Sequence, residues 1–201
     1  ALFLRKELGN QIGRSFIPPK ILSIDEFVDY VINKKTEVSN LQDMESCYLI
    51  YSIVKRHFKH ILSGRERFSD FVPWAREVLG FIEQLDLEDV DIDDIRNIQL
   101  NAQIGYDVPE SINLLLSNLI ELRKLFHQEL LKTNSFTRGL KYLTVSKMEN
   151  IDLGEFENIF FCNFFYLHKT EERILKNLYD HEKADLIFQA ENDWPVVKDL
   201  F

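Results

Sequence analysis

The stretch ENIFFCNFFYLHKTEERILKNL, residues 157–178, decides how the chain is read. Its first half is a near-continuous apolar run rich in phenylalanine, as in a strand buried on both faces rather than one that alternates. Its second half continues as TEERILKNLYDHE, amphipathic at helical spacing, and KADLIFQAE then brings a second apolar run at 184–188. Strand, helix and strand at that spacing predict a right-handed parallel βαβ crossover. Phe160, Phe161, Phe164 and Phe165 are expected to be core residues rather than a base-stacking platform.

Working toward the N-terminus, KILSI (20–24) is a short apolar segment expected to be a strand. Ser23 and Glu26 have the spacing of a capping box, with Phe27, Tyr30 and Val31 forming an apolar face behind them. Residues 34–42 are polar and linker-like. From Asp43 to about Asn150 the pattern is helical almost throughout, with candidates at 44–62, 69–85, 109–134 and 135–150. In the second of these Ser69 is expected to cap and Pro73 to lie in the first turn, where its missing N–H matters little. ALFLRKELGNQIG opens in mid-pattern, with Leu2, Phe3, Leu8 and Ile12 roughly on one helical face, and reads as a piece of something longer. The expected fold is therefore helix-rich α/β. A short parallel sheet in residues 1–35 and 151–201 is interrupted by an all-helical insertion over residues 36–150.

The 201 residues are 45% hydrophobic and 28% charged, enough for one substantial core or two small ones. No apolar run approaches the roughly 20 residues of a membrane span, so no membrane partner is expected. Two distant cysteines give neither a disulfide framework nor a C-x-x-C metal pair. With no signal peptide visible, they suit a reducing, cytoplasmic setting. The net charge of −9 argues against general affinity for nucleic acid, which is driven by clustered Lys and Arg.

One segment runs against that charge. KRHFKHILSGRER gathers Lys55, Arg56, Lys59, Arg65 and Arg67. These residues read either as cations favoured at a helix C-terminus or as phosphate contacts. The acidic run DLEDVDIDD (86–94) places Asp89, Asp91 and Asp93 like the first half of an EF-hand loop. Asp94 stands where that loop needs Gly and Leu100 where it needs Glu, so a solvated loop is expected and no metal. His57 and His60 lack a third ligand nearby and read as surface histidines. No phosphate-binding glycine loop and no activated nucleophile is visible, so neither a cofactor nor a catalytic residue is expected.

Three stretches resemble a known family. ALFLRKEL with PPKILSIDEFVDYV resembles the region after the motif Ia strand of AddB-type subunits of bacterial AddAB helicase–nucleases. FVPWAREVLGFIEQLD and TNSFTRGLKYLTVSKM resemble the helical insertion of those proteins, and NIFFCNFFYLHKTEERILKNL their strand and E-E helix segment. The resemblance implies a P-loop NTPase-like, helicase-like core whose chemistry has been lost. In active superfamily 1 helicases the corresponding strand ends in the motif II Asp-Glu pair, and here Cys162 and Asn163 stand at those degenerate positions. A thiol and an amide supply neither two anionic oxygens to Mg²⁺ nor a carboxylate base. Asn163 replaces the family's usual Gly, and His168 takes its Thr capping position, where it is expected to cap poorly.

What the resemblance implies is a non-catalytic scaffold that guides DNA in bacterial double-strand break repair and recombination. Its partners would be an AddA-like helicase–nuclease subunit and DNA ends, duplex or single-stranded. The parent protein would be a helicase–exonuclease subunit. The alternative is a non-enzymatic protein-interaction domain with no DNA role, which the net charge favours. A short sheet with an uncovered edge also leads to an expectation of self-association.

Overall fold

Ser23 opens the first helix that packs into the core of the computed structural model, which describes residues 2–62, 64–92, 95 and 110–188. Its Oγ accepts from the Glu26 N–H at 3.2 Å, and Glu26 Oε2 accepts from the Ser23 N–H at 2.7 Å. The expected capping box is closed in both directions. The described elements run α1 (Leu2–Ile12), α2 (Ile24–Lys35), β1 (Ser39–Asn40), α3 (Asp43–His57), a 3₁₀ turn (Lys59–Leu62), α4 (Phe68–Leu87) and α5 (Glu110–Lys132). They continue with β2 (Ser135–Phe136), α6 (Arg138–Ser146), β3 (Phe160–Cys162), α7 (Lys169–Asp180) and β4 (Asp185–Ile187).

The parallel strand pair of the expected βαβ unit forms. β3 and β4 pair in parallel, Phe161 opposite Leu186 and Cys162 opposite Ile187, with α7 between them in sequence. The remainder of the expected sheet does not form. Lys20–Ile24 contributes no strand: residues 18–23 are extended coil leading to the N-cap of α2. The other pairing lies where no strand was expected. β1 runs parallel to β2 in a separate two-stranded sheet, Ser39 opposite Ser135 and Asn40 opposite Phe136, with Asn134 in the left-handed region at φ +50°. Among the described residues the fold is helix-rich α/β with two very small parallel sheets, which do not amount to a P-loop-like core. The physical reason lies in the competition at Ser23, where the capping box commits the end of KILSI to a helix start.

Other boundaries also shift. The expected helix over 44–62 ends at His57, because Phe58 (φ −133°, ψ 48°) leaves the helix to bury its ring. α4 begins at Phe68 with Arg67 as N-cap, so Ser69 lies inside its first turn and Pro73 within the helix proper. α1 forms but buries no side chain, leaving Leu2, Phe3 and Ile12 exposed.

A single hydrophobic cluster joins residues from all three sequence regions, from Phe27 and Val28 through Ile50, Phe71, Ile82 and Phe126 to Ile174 and Leu178. α4 is its hub, packing against α3, α6 and α7. Its approach to α6 requires a glycine. A Cβ on Gly139 would lie 2.9 Å from Asp86 Cβ and 3.2 Å from the Glu83 backbone. Of the phenylalanines expected in the core, Phe161 is buried and Phe164 partly so, but Phe160 and Phe165 are 57% and 66% exposed. Only one face of the β3–β4 pair is covered, so alternate side chains of β3 turn outward.

Candidate nucleic-acid interface

The basic segment folds into one surface edge. Lys55 and Arg56 end α3, where unsatisfied carbonyls and the helix dipole favour cations, and Arg56 Nε donates to the Ser52 carbonyl at 3.3 Å. Buried Phe58 and Leu62 anchor the 3₁₀ turn between them, which holds Lys59 outward. Gly64, at φ +76°, then reverses the chain. The returning loop is fastened to α3 by Tyr51, whose hydroxyl donates to the Glu66 carbonyl at 2.6 Å, between Arg65 and Arg67. Lys55 Nζ lies 5.7 Å from the centroid of the same Tyr51 ring.

Lys55, Arg56, Lys59, Arg65 and Arg67 are all exposed. Among the described residues none of the five makes an ion pair. Elsewhere Lys34, Lys124, Lys132, Lys141, Lys147, Lys169, Arg123, Arg138 and Arg173 each face a carboxylate, while Arg76 and Lys183 reach neutral acceptors and Lys20 sits over the Tyr30 ring. The segment is thus a local positive edge on an acidic chain. Its field reaches α5, where the Glu129 carboxyl lies below its ordinary value chiefly because Lys132 donates to it, with Arg56 and His57 adding attraction. His57 is the last residue of α3 and His60 lies beyond the break at Phe58, where its Nε2 is 3.0 Å from Asn118 Nδ2.

Cys162 ends β3 and Asn163 follows it. The Cys162 thiol is exposed and unpaired with Cys47. Asn163 sits at φ +63° with its N–H donating to the Ile187 carbonyl at 3.3 Å. That is the left-handed region, where Gly is at ease and Asn is the common substitute. Among the described residues no three His, Cys, Asp or Glu side chains gather to hold a metal ion. Asp93, Asp94 and Leu100 of the acidic run lie outside the described residues.

Two polar clusters come from residues that sequence reasoning passed over as part of a solvated loop. Asp86 is wholly buried. Arg123 reaches its Oδ1 through Nε and Nη2, each at 2.8 Å, and His127 Nε2 lies 2.9 Å from its Oδ2. Arg123 also donates to the Val90 carbonyl at 2.9 Å, so the group locks the end of α4 to α5. Glu88, the next carboxylate, accepts from His168 Nδ1 at 2.6 Å, the Tyr166 hydroxyl at 3.1 Å and the Lys169 N–H at 3.4 Å. Burial raises this carboxyl, but those bonds outweigh it and leave it below its ordinary value. His168 therefore turns its ring toward Glu88, while Glu171 accepts the His168 N–H at 2.8 Å. An acid–base pair exists at this junction, but it works as a clamp between α4 and α7, reinforced by Thr170 Oγ1 donating to the Leu87 carbonyl at 2.8 Å. Only the capping position of His168 was read from the sequence; the long-range partners Glu88 and Asp86 had no local signal.

Among the described residues no helix is long and apolar enough to cross a membrane. No family model matches the sequence, and no curated protein is significantly similar to it.

Proposed function

We propose that the chain is a non-catalytic scaffold that guides a DNA strand along the Lys55–Arg67 edge, as the helicase-like part of an AddB-type subunit of a bacterial repair and recombination complex. The observation that carries the DNA reading is the set of five exposed cations with no carboxylate partner among the described residues, in a chain of net charge −9. Phosphate contacts position a strand without reading its sequence, so general rather than sequence-specific binding follows. The AddB reading is supported by the quoted segments, by the β3–α7–β4 crossover and by the left-handed Asn163 at a family glycine position. The missing strand at Lys20–Ile24 withdraws one of its architectural supports. Binding of labelled single-stranded and duplex oligonucleotides, followed by fluorescence anisotropy, tests the DNA reading. Affinity at low salt that disappears in the triple variant Lys55→Glu, Arg56→Glu, Arg67→Glu is expected, and unchanged affinity in that variant would remove the site.

A second reading, a protein-interaction domain, is favoured by the exposed Phe160, Phe165, Tyr166 and Ile187 around the open face of the β3–β4 pair. It expects the charge reversals to change nothing. It expects the double substitution Phe160→Ser, Ile187→Ser to abolish association with the protein that covers this face.

A further inference from the structure

We propose that Tyr48 is a base-stacking residue, and that the basic edge therefore takes a single nucleic-acid strand rather than a duplex. This rests on the reading of that edge as a DNA contact and names its ligand.

Tyr48 lies one turn before Tyr51 and two before Lys55 on α3, so the three share a side of the helix. It is 58% exposed, among the more exposed aromatic rings of the described helices. Its neighbours place it on the basic edge. The Phe68 ring lies 5.3 Å away at 88°, and Phe68 directly follows Arg67. The Tyr51 ring lies 6.3 Å away at 39°, with Lys55 above it and the Arg65–Arg67 loop fastened to its hydroxyl. On the other side, Arg76 Nη2 reaches the sulfur of Met44, one turn before Tyr48, at 3.8 Å. A cation thus stands by the aromatic or thioether one turn along α3 on each side of Tyr48.

Neither aromatic contact is face to face, and with 58% of Tyr48 exposed ring surface remains for a stacked partner. The bases of a duplex are paired and stacked on one another and offer no face to such a ring. A single strand offers faces and phosphates together, and a cationic groove with an exposed aromatic is the recurring arrangement for holding one. Tyr51 and Phe68 do not compete for the role, since each packs against the core.

The test is a cycle of protein and ligand variants. The chain, Tyr48→Ala and Tyr48→Phe are titrated against an oligothymidylate, an abasic strand with the same phosphates, and a duplex of equal length. Tyr48→Ala is expected to weaken oligothymidylate binding about 5- to 150-fold, the range for losing one stacked base. It should leave the abasic strand and the duplex unchanged, and Tyr48→Phe should restore the affinity. Quenching of 2-aminopurine placed in the strand should be lost in Tyr48→Ala and kept in Tyr48→Phe. Equal loss on the thymidylate and abasic strands, or no loss on either, overturns the stacking role. If the unaltered chain binds none of the three, or if Lys55→Glu, Arg56→Glu, Arg67→Glu leaves thymidylate binding intact, the underlying DNA reading fails instead.

Discussion

Asp86 shows what a single buried charge does here. It is fully enclosed and holds Arg123 and His127 of α5, so its removal would leave Arg123 without a counter-charge in a site that is also largely closed to water. Breaking a buried pair from one side costs about 3–5 kcal/mol. Asp86→Ala is expected to lower stability by that amount in urea denaturation, and a change under about 1 kcal/mol would mean the site relaxes to admit water. Glu155 shows the opposite, exposed case. Lys34 donates to it at 2.7 Å and the Tyr30 hydroxyl donates as well, and together they bring its carboxyl down from 4.5 to about 2. A lowered folded-state value means stability that is present above the ordinary carboxylate range and lost as pH falls toward the lowered one. The loss should occupy the interval from about 4.5 down to about 2. The contribution is small because solvent screens the group. Glu155→Gln is expected to flatten the fall in Tm over that interval while leaving Tm near pH 7 slightly lower; parallel curves for the two proteins would show that the pair contributes nothing.

At the scale of elements, the contact of α4 with α6 turns on Gly139. The atoms that an added methyl would meet belong to the α4 backbone and to the Cβ of a buried aspartate, neither of which can rotate away. Gly139→Ala is therefore expected to destabilise by about 1–3 kcal/mol, against the usual gain from replacing a helical glycine. Gly80, with nothing near its Cβ position, is the control: Gly80→Ala should stabilise, and equal effects at both sites would sink the argument. Elements governed by local chemistry were legible in the sequence. The Ser23–Glu26 capping box, the helices between Asp43 and Ser146 and the β3–α7–β4 order all follow from local spacing and periodicity. What was illegible depends on partners far along the chain. β1 and β2 are two residues each and pair only because α3, α4 and α5 return the chain to the same place. KILSI has strand composition but finds no neighbouring strand, and its final serine is used as a helix cap. The basic edge was legible as a segment because its residues are contiguous. That its five cations would lack carboxylate partners among the described residues, and that Tyr48 would stand beside them, depended on how α3 meets α4.

For the whole molecule, a chain of net charge −9 must bind a polyanion through a patch smaller than the repelling remainder. The two fields differ in range. Ion contacts at the edge act at a few ångströms, whereas the acidic remainder acts across distances comparable to the Debye length, about 10 Å at 0.1 M salt. Adding salt therefore weakens the distant repulsion and, through counterion release, the near attraction as well. If all five cations meet phosphates of a single strand, each contributes about −0.7 to the slope of log affinity against log salt, giving a limit near −3.5. Fewer contacts and the relieved repulsion both make the observed slope shallower. The expected slope for single-stranded DNA lies between about −1.5 and −3.5, and each cation removed from the set should reduce it by about 0.7. Tyr48→Ala should lower the affinity and leave that slope unchanged, since stacking releases no counterions. A slope steeper than the five-cation limit would place further phosphate contacts outside the Lys55–Arg67 edge, and a slope near zero would mean that whatever binds is not held by charge.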